Sequence, residues 1–199
     1  MENTLNGSKS EFSLADLMKA LEQTEDGQRP VEKWNPEFCG KMDMVIKSDG
    51  SWWHEGSRIT RKGLITLFAS ILRKDEDGVT YLVTPVEKIE IQVERAHFLA
   101  IRADIEGEGE GQRIFITTNM DEVIEIGPDN PLRVETDPES LEPSPFVTVR
   151  GRLEAALLRA VFYELVEHAV ERSTDEGAQL GIYAGGTFFP LGPAGVHEI

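Results

Sequence analysis

The stretch Asp49-Gly50-Ser51-Trp52-Trp53-His54-Glu55-Gly56 limits what this chain can fold into more than any other. Asp-Gly is turn chemistry, because glycine reaches positive φ without steric cost. Two tryptophans directly after the turn occupy opposite faces of an extended strand. One therefore enters a core and the other faces a surface or groove. Met42, Met44 and Ile46 alternate with Asp43, Val45 and Lys47 upstream, so the turn joins two strands. The helix that follows is expected over Thr60–Leu72. Leu64, Leu67, Phe68 and Ile71 form its apolar stripe, and Ile65 and Leu72 widen it. Arg61 and Lys62 stand at its first turn, the end that the helix dipole makes unfavourable for cations.

Before this stretch, Ser13 reads as an N-cap, with Leu14, Leu17, Met18 and Leu21 at helical spacing to about Glu25. After Lys74-Asp75-Glu76-Asp77-Gly78 the alternation Ile89, Ile91, Val93 predicts a strand over Lys88–Glu94, preceded by another at Thr80–Thr84. Strands are also expected over His97–Ile105, Arg113–Thr118, Leu132–Glu135 and Phe146–Val149, with a short one at Val123–Ile126. Glu106 to Gly111 alternates Glu and Gly. It lacks the ligand spacing of a calcium loop and reads as a solvated tip. Three prolines make Thr136–Pro145 a loop. Arg152 to about Glu171 is predicted as one long helix, with Leu153, Leu157, Leu158, Val161, Phe162, Leu165 and Val166 as a wide apolar surface. A hairpin around Gly185-Gly186 closes the chain.

The order strand, helix, acidic Gly turn, hairpin occurs twice. It begins at Ile59-Thr60-Arg61-Lys62-Gly63-Leu64 and again at Thr148-Val149-Arg150-Gly151-Arg152-Leu153. The expected fold class is therefore α+β, with two tandem α+β units, 1–95 and 96–199, sharing this strand-helix-hairpin motif. The second unit is expected as a bent antiparallel sheet or partial barrel carrying the long helix.

Thirty-six acidic residues against twenty basic ones leave a net charge of −16. Nucleic-acid affinity rests on neutralising phosphates, so it is disfavoured here, and anionic membrane surfaces are disfavoured for the same reason. Cys39 is the single cysteine, which fits a reducing compartment. No basic segment followed by an apolar one opens the sequence, and no run of about 18 apolar residues is present. A cytoplasmic protein is expected.

No catalytic signature stands out. His54, His97, His168 and His197 lack zinc-site spacing, so no metal is expected. P-loop, GxGxxG and GxSxG motifs are absent, and no cofactor is expected. A thiol dyad of Cys39 with His54 or His97 lacks an accompanying oxyanion glycine motif. The stronger candidate is a binding cleft between the units. Trp52, His54, Glu55, Arg58, Arg61 and Glu87 would face Arg150 and Arg159, with Arg152 beside them. Arginines over an aromatic platform recognise an anionic or planar group by bidentate hydrogen bonds and stacking. The same arginines could instead tie the units together through Glu87, Glu154 or Asp43. Two functions follow. One is a non-catalytic sensor or adaptor for a small anionic ligand or a protein partner. The other is a hydrolase using Glu55 or Glu87 with His54 as acid and base.

Cys39-Gly40, Asp49-Gly50-Ser51-Trp52, His54-Glu55-Gly56, Leu82 through Lys88, Thr118-Asn119, Val149-Arg150-Gly151 and Arg159 through Tyr163 together resemble an uncharacterised bacterial family, domain-of-unknown-function family 1285. The resemblance runs from about Trp34 to Gly192. It implies a two-part α+β protein with a repeated motif and a role in signal transduction through ligand or partner binding. It attaches no reaction and no catalytic residue. With the preceding hairpin counted in, seven strands come before the long helix, and this element order also resembles a pleckstrin-homology barrel.

Overall fold

The structure, a computed structural model, describes residues 29–174 and 177–194. The helix expected over Ser13–Glu25 lies outside them. Fifteen strands dominate the described residues, with two helices of nine residues each, α1 (Lys62–Ser70) and α2 (Arg159–Glu167). The first six strands are β1 (Phe38–Ile46), β2 (Trp52–His54), β3 (Ser57–Arg58), β4 (Leu72–Lys74), β5 (Thr80–Val83) and β6 (Lys88–Val93). They form one sheet in the order β3-β2-β1-β6-β5-β4. The next six are β7 (Phe98–Glu106), β8 (Arg113–Thr118), β9 (Val123–Glu125), β10 (Leu132–Thr136), β11 (Pro143–Arg150) and β12 (Leu153–Leu157). Their order is β10-β11-β12-β7-β8-β9. β13 (Val170–Thr174), β14 (Gly177–Ala184) and β15 (Thr187–Pro193) form a third, antiparallel sheet. None of the described helices is long and apolar enough to cross a membrane.

The α+β expectation is corrected to a strand-dominated fold. The long helix at Arg152–Glu171 fails most clearly, because it divides into β12, α2 and β13. Gly151 at φ 52° makes a tight turn between β11 and β12. Leu153, Ala155 and Leu157 then point inward, and Ala155 to Leu157 pair in parallel with Phe98 to Ala100. Alanine and leucine favour helix locally, but burial at the middle of a sheet overrides that preference. The first helix is also shorter than expected. It stops at Ser70, and Leu72–Lys74 leaves to pair with β5. Thr136–Pro145 is likewise not wholly loop, because Pro143 pairs with Thr136 across the β10–β11 hairpin.

The repeat also differs from the expected strand-helix-hairpin. Read from its other edge, the second sheet runs β9-β8-β7-β12-β11-β10. Both sheets are thus two three-strand meanders, joined at the middle by a parallel pair of the first and last strands, β1 with β6 and β7 with β12. α1 falls between the two meanders of the first sheet, whereas α2 follows the second sheet altogether. Ile59–Leu64 leads from β3 into a helix, and Thr148–Leu153 is a strand-to-strand turn, so they hold no equivalent places. The resemblance to a pleckstrin-homology barrel does not hold either, since three strands follow the short α2.

One apolar core runs through all three sheets. Ile46 and Trp52 of the first, Phe98 and Val147 of the second, and Ile182 and Leu191 of the third belong to it. The third sheet rests on the second: the Gln112 side chain donates to the Tyr183 carbonyl at 2.9 Å, and the Gly185 N–H donates to the Gln112 carbonyl at 3.2 Å.

Candidate functional site

The first two sheets meet along a seam that is closed at one end and open at the other. The closed end centres on His97, just before β7, and on Arg150 at the end of β11. The Glu154 N–H donates to His97 Nδ1 at 3.1 Å. Because Nδ1 accepts, the neutral ring carries its proton on Nε2 and donates to Thr80 Oγ1 of β5 at 3.0 Å. Burial, and then the nearby Lys74 ammonium, push the His97 pKa down to about 4. Arg150 lies with its guanidinium 5.1 Å from the Phe98 ring centroid. It donates to the Ala69 carbonyl of α1 and to Glu122, both at 2.7 Å. A small depression of about 330 Å³ beside it is lined by Thr66, Phe98 and Met120 among others.

The open end begins at the Asp49-Gly50 turn. The Asp49 carboxylate accepts from the Ser51 N–H at 2.9 Å and from its hydroxyl at 2.5 Å, and Trp53 Nε1 donates to that hydroxyl at 2.8 Å. The Ser51 hydrogen bonds hold the Asp49 carboxyl below its ordinary pKa, so it is ionised at neutral pH. Gly50 sits at φ 77°, and a Cβ there would lie 2.8 Å from Leu99 Cδ1 and 3.1 Å from Asn119 Nδ2. Leu99 and Asn119 are themselves locked together: the Leu99 N–H donates to Asn119 Oδ1 at 3.0 Å and the Asn119 N–H donates to the Leu99 carbonyl at 2.8 Å. The first sheet's turn is therefore seated against the second sheet.

Next to that contact is a cavity of about 700 Å³. Ser48 and Asp49 bound it on one side, Arg95 of the β6–β7 link on another, and the start of α2 on a third. Leu99, Leu157 and Phe162 supply apolar wall, with Leu157 and Phe162 buried. Arg95 has no carboxylate partner among the described residues, and its guanidinium lies 5.8 Å from the Phe146 ring centroid. Arg159 pairs with Glu142 at 3.3 Å, an exposed and therefore weak ion pair. Glu142 is presented by a short loop in which Leu141 takes φ 59° and the Asp137 carboxylate accepts from the N–H groups of Glu139 and Ser140. Among the described residues no side chain caps α2 at Leu158.

Of the eight residues proposed from sequence, only Arg159 lines this cavity. Trp52 is fully buried and stacks on Phe68 with centroids 6.1 Å apart, so it belongs to the core. Its Nε1 is buried without a hydrogen-bond partner among the described residues. His54 is half-buried on β2, and Glu55 and Arg58 are exposed on the β2–β3 hairpin. Arg61 is exposed immediately before α1. Arg150 is in the closed seam, and Arg152 bridges to Glu76 at 2.9 Å. Glu87 is half-buried in the β5–β6 turn. Met44 pairs with His54 and Phe38 pairs with Lys88, so six residues of β1 separate His54 from Glu87. That is roughly 20 Å of strand, far beyond hydrogen-bond reach.

Sequence reasoning missed Asp49 as a wall, Arg95 and Glu142, whereas Phe162 is buried, as its place on the apolar surface predicts. Arg159, a cation in the first turn of its helix, breaks the same dipole rule that was applied to Arg61 and Lys62. With α2 read as starting at Arg152, that signal disappeared. Among the described residues no group of three or more His, Cys, Asp or Glu side chains is arranged to hold a metal ion.

Two family models match. Residues 29–96 match the N-terminal domain of the domain of unknown function DUF1285, and residues 97–191 match the C-terminal domain of the protein of unknown function DUF1285. A crystal structure of a DUF1285 family protein from Silicibacter pomeroyi DSS-3 is 38% identical, with a TM-score of 0.80 over 89% of this chain and 95% of that one. A second, from Shewanella baltica OS155, is 25% identical over 64% of this chain and 92% of that one, with a TM-score of 0.48. No curated protein matches the chain. Matched by both family models over most of its length, the chain belongs to the DUF1285 family.

Proposed function

We propose that the protein is a non-catalytic sensor or adaptor that binds a small anionic ligand in the cavity between Asp49, Arg95 and Arg159. The supporting observation is the placing of two exposed guanidiniums on a concave wall formed by both sheets. Its volume of about 700 Å³ is ordinary for a ligand site. A ligand there touches the Ser48–Asp49 turn of the first sheet and α2 beyond the second, so its binding is felt by both, which suits a signalling role. The hydrolase alternative has less support, because His54, Glu55 and Glu87 lie outside the cavity lining, His54 and Glu87 stand far apart, and the cavity wall holds no histidine among the described residues. A protein partner is the second reading, drawn from exposed Leu158 and Tyr163 at the mouth.

The test is a thermal-shift screen against phosphate, nucleotides, acyl phosphates and carboxylates, run on wild type, Arg95→Ala and Arg159→Ala. A ligand at 100 times its dissociation constant adds about 2.7 kcal/mol, an easily visible shift. A shift that shrinks in both variants is the expected result. If no anion shifts the wild type, the small-ligand reading fails.

A further inference from the structure

The charges and the apolar surface of the cavity narrow the class of ligand. Arg95 and Arg159 are opposed by Asp49 and Glu142 in the same wall, so the four formal charges sum to zero. A polyanion such as a nucleoside triphosphate would meet two carboxylates along with its two cations, and like charges at close range are repulsive. A bare inorganic anion would leave half-buried Leu99 and exposed Leu158 and Tyr163 facing water. A molecule that covers them gains the burial of apolar surface as well as the guanidinium contacts. Ser48 and Ser144 add hydroxyls that can donate to an oxyanion.

Building on the reading of this cavity as an anion-binding site, we infer that its ligand is a small amphiphilic monoanion, a single carboxylate head on an apolar body. The head lies between Arg95 and Arg159. The body runs along Leu99 and Leu158, over the buried floor of Leu157 and Phe162, and Tyr163 flanks the entrance. Arg159 exchanges its exposed Glu142 partner for the ligand, and a surface ion pair of that kind is easily given up.

Isothermal titration with hexanoate, octanoate and decanoate tests this, with octylammonium and inorganic phosphate as controls. The protein variants are Arg95→Gln, Arg159→Gln and Leu158→Ser, all at exposed positions where folding is not at stake. The expected result has three parts. Affinity for the carboxylates rises with chain length, by up to about fourfold per methylene. Each arginine variant weakens octanoate at least fivefold while preserving the chain-length trend, and Leu158→Ser flattens the trend. Octylammonium does not bind. Phosphate binding that depends on the arginines, with octanoate no tighter, overturns the amphiphile and leaves the anion site standing. Chain-length dependence that the arginine variants leave unchanged overturns it as well. No arginine-dependent binding of any anion overturns both the inference and the function on which it rests.

Discussion

The two ends of the seam use the same residue types to opposite effect. At the closed end, Arg150 spends its donors on the Ala69 carbonyl and Glu122 and covers Phe98, and only 24% of its side chain is exposed. At the open end, Arg159 is 73% exposed against one weak partner, and Arg95 has no carboxylate partner among the described residues. An arginine with its hydrogen bonds satisfied by backbone and carboxylate works as a tie. An arginine on a concave wall keeps its fork available. Residue type and count cannot separate these roles, because burial and partner decide them.

Substitutions at the two ends should have unequal effects, the largest where the open end touches the opposite sheet. Gly50→Val forces a β-branched residue into φ 77° and drives its Cβ into Leu99. A loss of about 3–4 kcal/mol is expected in urea unfolding, with the Leu99–Asn119 contact disrupted. A smaller figure would mean that the turn is not seated as described.

The closed end is pH-dependent through His97. Its folded pKa of about 4 lies below its ordinary 6.5, so the unfolded chain binds the proton more readily. Stability is therefore full above pH 6.5 and falls as pH drops from 6.5 toward 4, by roughly 3 kcal/mol in all. Lys74 and Arg150 face the ring and oppose its protonation, and Glu154 favours it. His97→Gln should flatten that part of the profile, and an unchanged slope between pH 6.5 and 4 would remove His97 from the seam's electrostatics.

Arg150→Ala should cost about 2 kcal/mol, because it leaves Glu122 unpaired and uncovers Phe98. Arg95→Gln and Arg159→Gln should each lie within about 0.5 kcal/mol of wild type. Denaturant unfolding of the three together sharpens the contrast. If the cavity arginines prove as costly as Arg150, they are ties as well.

Much of the local structure was legible. Ile89 and Ile91 alternate cleanly because their strand buries one face, and both are buried in β6. Trp52 and Trp53 divide between core and partial exposure as a strand after a turn requires. The stretch from Leu153 to Leu165 was not legible, since Leu153, Ala155 and Leu157 satisfy a period of two while Leu158, Val161, Phe162 and Leu165 satisfy a helical one. Nothing local marks the switch, and what decides it is pairing with Phe98–Ala100, more than fifty positions earlier in the chain. The cavity failed to appear for a related reason. Asp49 was recognisable as turn chemistry, but its neighbour Arg159 is brought to it only by long-range packing.

The parallel pair at the centre of each six-stranded sheet has a kinetic consequence. In both sheets the strand made last is the one that must lie in the middle, beside the strand made first. As a chain emerges from the ribosome, β1–β5 can form only two separate flaps until Val93 is available, each with an unpaired inner edge. The second sheet stays open in the same way until Leu157. Refolding should therefore be slow for the size of the chain, since its nucleus needs contacts between distant segments. Truncations ending just before β6 or β12 should aggregate rather than yield a smaller soluble sheet.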